Sequence, residues 1–247
     1  MQIKRQTVGL TVDDSLMRVY VASPEPSGQY PGILFYSDIY QLGGPITRLA
    51  DRLAGYGYVV AAPEIFHRLE PIGTVIDPDE IGRLRGNDAA RRTAIADYDA
   101  DAITLVNWLS FHDGVAQGQL GTLGFCIGGH LALRAALSPQ IRAAACCYPT
   151  GLQTGKLGRG TADTLQRVGE VTGRLLTIFG TLDPHVPPEG REKILTAIAA
   201  PNIPHKTLLY EANHTFMRDD GYRYDPAATA AAWQEIVAFF AAAFAER

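Results

Sequence analysis

The chain is short of the residues that several protein classes require. Three cysteines in 247 residues (Cys126, Cys146 and Cys147) cannot make a disulfide framework, and they lack the spaced Cys/His partners of a structural zinc. No H-x-x-x-H pair occurs, so no metal is expected, and no motif calls for a cofactor. Cationic excess is absent too. The 22 Lys and Arg against 26 Asp and Glu leave a net charge of −4, which argues against a nucleic-acid partner. No window reaches the roughly 18 uninterrupted apolar residues of a membrane span. The most apolar stretch, Ala227 to Ala245, is interrupted by Gln234 and Glu235 and reads as a packed helix. The opening residues are polar and mixed, without the apolar run of a secretory signal. With reduced thiols, this gives the expectation of a cytoplasmic protein.

What is present is ordinary globular composition, with 47% hydrophobic and 19% charged residues. At roughly 150 residues per domain, the length suits one large domain. With no repeat or linker in the chain, residues 1–247 are expected to form it alone.

The pattern along the chain alternates strands with helices. Residues 7–12 and 17–23 flank the turn-forming Asp13-Asp14-Ser15 and predict an antiparallel hairpin. Short continuous apolar runs at 32–37, 58–62, 120–125, 142–148 and 174–180 predict strands buried on both faces, and 205–210 a further strand. Between them, helices are predicted at about 45–54, 127–137, 189–199 and 226–245. Asp88 is read as the cap of one long helix running to about Phe111. Two stretches look irregular: 64–86, dense in Gly and Pro, and 151–173, with room for a short helix. The expected fold is α/β, a mostly parallel sheet covered by helices on both faces and entered through the N-terminal hairpin.

The motif that carries chemistry is Gly124-Phe125-Cys126-Ile127-Gly128-Gly129, set between a predicted strand and a predicted helix. That context is required of a nucleophile elbow, here with Cys in place of Ser. Glycines two before and two after leave space for a tight turn. The turn projects Cys126 above the carboxyl edge of the sheet and leaves the Ile127 N–H at a helix N-terminus, where it can donate to an oxyanion. The positive end of the helix also favours thiolate over thiol. Such an elbow needs an acid and a histidine later in the chain, in that order. Asp183, after the strand 174–180, and His214, after 205–210, each fall just beyond the C-terminal end of a predicted strand. His130 reads as a packed residue of the elbow helix, and Cys146 and Cys147 as inert core. His185 lies inside the Asp183 loop, and His67, His112 and His205 show no partner pattern.

These residues, with His214-Thr-Phe-Met-Arg218, resemble the dienelactone hydrolase family from about residue 10 to the C-terminus. The resemblance implies an α/β-hydrolase fold. It further implies a Cys126–His214–Asp183 triad and an oxyanion hole made by the N–H groups of Ile127 and Ile39. The implied activity is opening of a small carboxylate-bearing enol lactone, dienelactone to maleylacetate, in aromatic catabolism. Arg218 would bind the substrate carboxylate, which a guanidinium fork suits. A second arginine, Arg83 or Arg85, would assist it. One departure stands out: the family carries Glu before the oxyanion Ile, where it meets the resting Cys, and this chain has Asp38, shorter by roughly 1.5 Å. The expected partner is a small ester or lactone; a homodimer stays open. Two other readings compete: a general small-ester carboxylesterase or thioesterase of the same fold, and a non-catalytic binding module.

Overall fold

The computed structural model describes residues 1–245. Eight strands form one sheet: β1 (Ile3–Val12), β2 (Ser15–Pro24), β3 (Tyr30–Tyr36), β4 (Val59–Pro63), β5 (Val115–Phe125), β6 (Ile141–Cys147), β7 (Arg174–Gly180) and β8 (His205–Tyr210). Their spatial order is β1-β2-β4-β3-β5-β6-β7-β8. β1 and β2 pair as the expected hairpin, and β2 joins β4 antiparallel; from β4 to β8 every pairing is parallel. The chain leaves β3 for β4 on one side and returns to β5 on the other. This reversal opens a crevice beyond the carboxyl ends of β3 and β5, where α/β sheets hold their ligands.

Helices cover both faces, as the doubly buried strands require. One face takes α2 (Glu80–Arg92), α3 (Ile95–Ser110), α4 (Ile127–Ala135) and α5 (Pro188–Ala199), which bury Ala89, Leu105, Leu109, Leu131 and Ile194 with the strands' Leu34, Ala144 and Leu175. The other takes α1 (Gly44–Gly55) and α6 (Pro226–Ala245), with Leu53, Trp233, Ile236 and Phe240. By length and composition α6 could cross a bilayer, but it packs Trp233, Ile236 and Phe240 wholly into this core. Burying such side chains stabilises the fold by about 1.5–3 kcal/mol each before entropic costs.

One expected element is corrected. The helix read from Asp88 to Phe111 is two helices, α2 and α3, broken at Thr93 and Ala94, both extended. α2 is capped nine residues earlier, by Asp79, whose carboxylate accepts the Gly82 N–H at 2.7 Å. The break is held from outside. Arg159 N–H donates to Thr93 O at 2.9 Å, and Asp97 receives the Ala94 N–H at 3.1 Å to restart the helix. The irregular 151–173 stretch thus serves as a strap across α2, α3 and α4, with two 3-10 turns at Leu152–Thr154 and Val168–Glu170.

Candidate active site

At the end of β5 the backbone turns sharply into α4. Cys126 sits at the tip with φ 60° and ψ −121°, a left-handed region disfavoured for a side-chain-bearing residue. The flanking glycines are sterically required: a Cβ on Gly124 would lie 1.9 Å from Gly128 O, and one on Gly128 2.2 Å from Ser37 O. Cys126 N–H is tied to Cys147 O at 3.1 Å, which fixes the tip against β6. Ile127, the first residue of α4, has an N–H with no acceptor inside its own helix. The Cys126 side chain lies at the protein surface's inner margin, 8% exposed.

Asp183 and His214 come from the loops after β7 and β8 and meet beside this turn. Their Oδ2 and Nδ1 atoms are 2.7 Å apart, both side chains almost fully buried. The other Asp183 oxygen accepts the His185 N–H at 2.7 Å, which orients the carboxylate. With Nδ1 facing Asp183, the His214 ring lies close enough to Cys126 for the sulfur to act on its titration. Burial alone would lower the His214 imidazole; the Cys126 sulfur and the Asp183 carboxylate overcome it and raise its pKa to about 9. Burial likewise pushes Asp183 up, but the bonds from His214 and the His185 N–H leave it below its ordinary range. Tyr148 meets the His214 ring edge-on at 5.2 Å between centroids.

The loop after β3 carries Ile39 to the same rim, and Gly86 of α2 packs so closely on it that a Cβ there would stand 2.5 Å from Ile39 O. Asp38 does not take the family Glu's place at the sulfur. Its Oδ2 accepts from Arg218 Nη1 at 2.7 Å and its Oδ1 from Tyr40 N–H at 2.9 Å. The shorter side chain is fully engaged on its own side of the crevice. Arg218 is 6% exposed and doubly paired: besides Asp38, Asp220 Oδ2 accepts from Nη2 at 3.3 Å while its Oδ1 lies 2.8 Å from Nε, and Tyr40 underlies the guanidinium at 4.8 Å. The two carboxylates hold Arg218 above its ordinary range, against the lowering effect of burial.

The two upstream arginines separate. Arg85 is held by Glu70 in two hydrogen bonds. Arg83 is half-exposed, 3.8 Å from Glu80, and its charge bears on Tyr40 and His185, both at the site.

Sequence reasoning missed three neighbours of Cys126 and His214. Thr150, after β6, places Oγ1 3.6 Å from the Cys126 sulfur. His185 packs its ring 4.5 Å from that of His214, and Tyr148 meets the same ring edge-on. The position of Thr150 just beyond a strand end was the available signal. His67 is also corrected: it has partners, Ser15 Oγ at 2.9 Å from Nδ1 and Asp101 Oδ1 at 3.1 Å from Nε2. The three came from a hairpin turn, a loop and a helix, so no local spacing could reveal them. Cys146 and Cys147 are fully buried, and burial pushes the Cys146 thiol up to about 12. A cavity of about 540 Å³ opens among Lys4, Tyr30, Trp108 and His112, at the sheet's other end, and none of its lining residues belongs to this site.

A parallel-centred sheet with an elbow cysteine, and with carboxylate and imidazole loops after its last two strands, defines the α/β-hydrolase class. Solved structures agree on the fold. A dienelactone hydrolase-like promiscuous phosphotriesterase from metagenomic libraries superposes with TM-score 0.79 at 20% identity, covering 98% of this chain and 99% of that one. Thermogutta terrifontis esterase 2 gives 0.68 at 19% identity, covering 94% and 93%. The family model described as "Dienelactone hydrolase family" matches residues 17–244. A Saccharomyces cerevisiae protein named "Putative carboxymethylenebutenolidase" is 36% identical over 228 residues, 86% of this chain and 82% of its own length. The chain belongs to the dienelactone hydrolase family and is a carboxylic ester hydrolase.

Proposed function

We propose that this enzyme hydrolyses small esters or enol lactones by covalent catalysis, with Cys126 as nucleophile, His214 as general base and acid, and Asp183 holding the imidazole. The observation that carries the reading is the 2.7 Å Asp183–His214 contact beside a cysteine on a left-handed turn. Cys126 sulfur adds to the carbonyl, and the N–H groups of Ile127 and Ile39 receive the oxyanion. Collapse expels the alkoxide or enolate, which takes the proton of His214, and leaves a thioester beside a neutral imidazole. Water, losing its proton to His214, then cleaves it. A thiolate leaves a tetrahedral intermediate more readily than an alkoxide does, so the chemistry favours activated esters such as enol lactones.

A second reading, a carboxylesterase for uncharged small esters, is favoured by Arg218. Its cation is already matched by Asp38 and Asp220, so a substrate carboxylate has to displace Asp38 to reach it. Arg83, half-exposed at the rim and paired only with the exposed Glu80 at 3.8 Å, is then the more accessible cation. A panel setting dienelactone against p-nitrophenyl acetate and butyrate separates the two. The lactone reading expects kcat/KM for dienelactone to dominate and to fall at least tenfold in Arg218→Met. Equal rates on neutral esters, unaffected by that change, select the second reading, and no turnover of any member removes both.

A further inference from the structure

Cys126 has a second polar neighbour that the triad does not include. Thr150 Oγ1 lies 3.6 Å from the sulfur, and the Thr150 N–H donates to Cys126 O at 3.1 Å, so the two residues are bound at main chain and side chain alike. A thiolate can only accept, so in the anionic state the hydroxyl is the donor.

The placement of Thr150 is fixed by a chain of hydrogen bonds whose direction follows from its ends. Arg134, 8% exposed, is donor only. Asp99 holds it at 2.6 and 2.8 Å and Asp163 at 2.8 Å, and its Nη1 donates to Thr164 Oγ1 at 3.2 Å. At the other end, Thr150 O is acceptor only and faces His130 Nδ1 at 3.3 Å, so Nδ1 carries the hydrogen. His130 is fully buried, and burial drives its pKa down to about 3, so the ring is neutral and Nε2 must accept. Thr164 Oγ1, 2.9 Å away, supplies that hydrogen. The order is Arg134 to Thr164 to His130 to the Thr150 carbonyl, which gives the buried His130 a single tautomer.

We propose that Thr150 is a catalytic residue that donates its hydroxyl hydrogen to the Cys126 sulfur, and that His130 is the positioning residue that holds it there. The proposal rests on Cys126 being the nucleophile. Deacylation gains most from it. Water adds to the thioester carbonyl and gives a proton to His214; the C–S bond breaks and its electron pair leaves on sulfur, where the Thr150 O–H meets the charge. Carboxylic acid, protonated His214 and thiolate are the products, and no other reactant is consumed. Asp38 is occupied with Arg218 and Tyr40, which leaves Thr150 to serve the sulfur.

The test compares wild type, Thr150→Val, Thr150→Ser and Thr164→Val on p-nitrophenyl acetate, with intact-mass measurement of the acetylated fraction after acid quench. Thr150→Val is expected to lower kcat about tenfold, with KM falling alongside and acetyl-enzyme accumulating. Thr150→Ser is expected to restore both, and Thr164→Val to slow the same step less. A Thr150→Val enzyme with wild-type turnover and acetylated fraction overturns the role of Thr150. Equal impairment in Thr150→Ser assigns the loss to shape and overturns the hydroxyl. An unchanged Thr164→Val overturns the positioning chain. Absence of any acetyl adduct in all four, wild type included, removes the proposal together with the nucleophile reading, whereas an adduct in wild type confines a failure to Thr150.

Discussion

Among the described residues, two trios of a thiol or hydroxyl, an imidazole and a carboxylate invite comparison, and the function proposed above assigns chemistry to only one of them. In the Cys126–His214–Asp183 trio, His214 Nδ1 faces the carboxylate and Cys126 acts on the ring's titration, with both loops arriving at an elbow. In the Ser15–His67–Asp101 trio the ring is reversed, with Nδ1 toward Ser15 and Nε2 toward Asp101. Arg68 Nη1 lies 2.8 Å from both Nε2 and Asp101 Oδ1, so a cation shares the carboxylate. Ser15 also donates to His67 O at 3.3 Å and sits at the foot of β2, with no helix N-terminus behind it. The two differ in the backbone that presents the thiol or hydroxyl and in the charge that meets the carboxylate.

The largest expected effect breaks the comparison outright if it fails. Cys126→Ala is expected to lower kcat on p-nitrophenyl acetate by about four orders of magnitude or more, and Ser15→Ala to leave it within twofold. Measurable loss in Ser15→Ala would make the two trios functionally alike. Next, Asp183→Asn is expected to reduce kcat by about 10³–10⁴-fold with the melting temperature little changed. Asp101→Asn should do the reverse, costing roughly 1–3 kcal/mol in urea denaturation with kcat retained.

pH sharpens the contrast. The His214 pKa is raised to about 9, so the stability it gains from Cys126 and Asp183 is complete below its unfolded value of about 6.5 and is lost as pH rises through 9. An NMR titration of the His214 ring should place its midpoint near 9 in wild type and lower in Cys126→Ala, where the sulfur no longer contributes; an unmoved midpoint would assign the shift to Asp183 alone. The smallest effect concerns Arg68. Arg68→Met in a Cys126→Ala background is expected to lower stability by about 1 kcal/mol and to produce no hydrolysis. Turnover appearing there would mean that the arginine, not the backbone, silences Ser15.

Much of this site could be read along the chain because an elbow is a local object. Gly124, Cys126 and Gly128 mark it within five residues, and Asp183 and His214 follow predicted strands whose ends must lie on one edge. The break at Thr93 was illegible for the opposite reason. The local pattern continues as helix, and its interruption depends on Arg159, more than sixty residues on. Gly82 and Gly86 looked like loop residues, yet they lie within α2, and Gly86 is small because Ile39 presses on it.

By itself, the sequence determined the doubly covered sheet, the strained turn and the three side chains that border it, since apolar period, glycine spacing and strand order are properties of neighbours in the chain. Tertiary structure alone decided which polar atoms face one another: Asp38 on Arg218 instead of the sulfur, Thr150 beside it, and Ser15 held on His67. Hydrogen bonds act over about 3 Å, and only the packed chain brings residues far apart in sequence within that range.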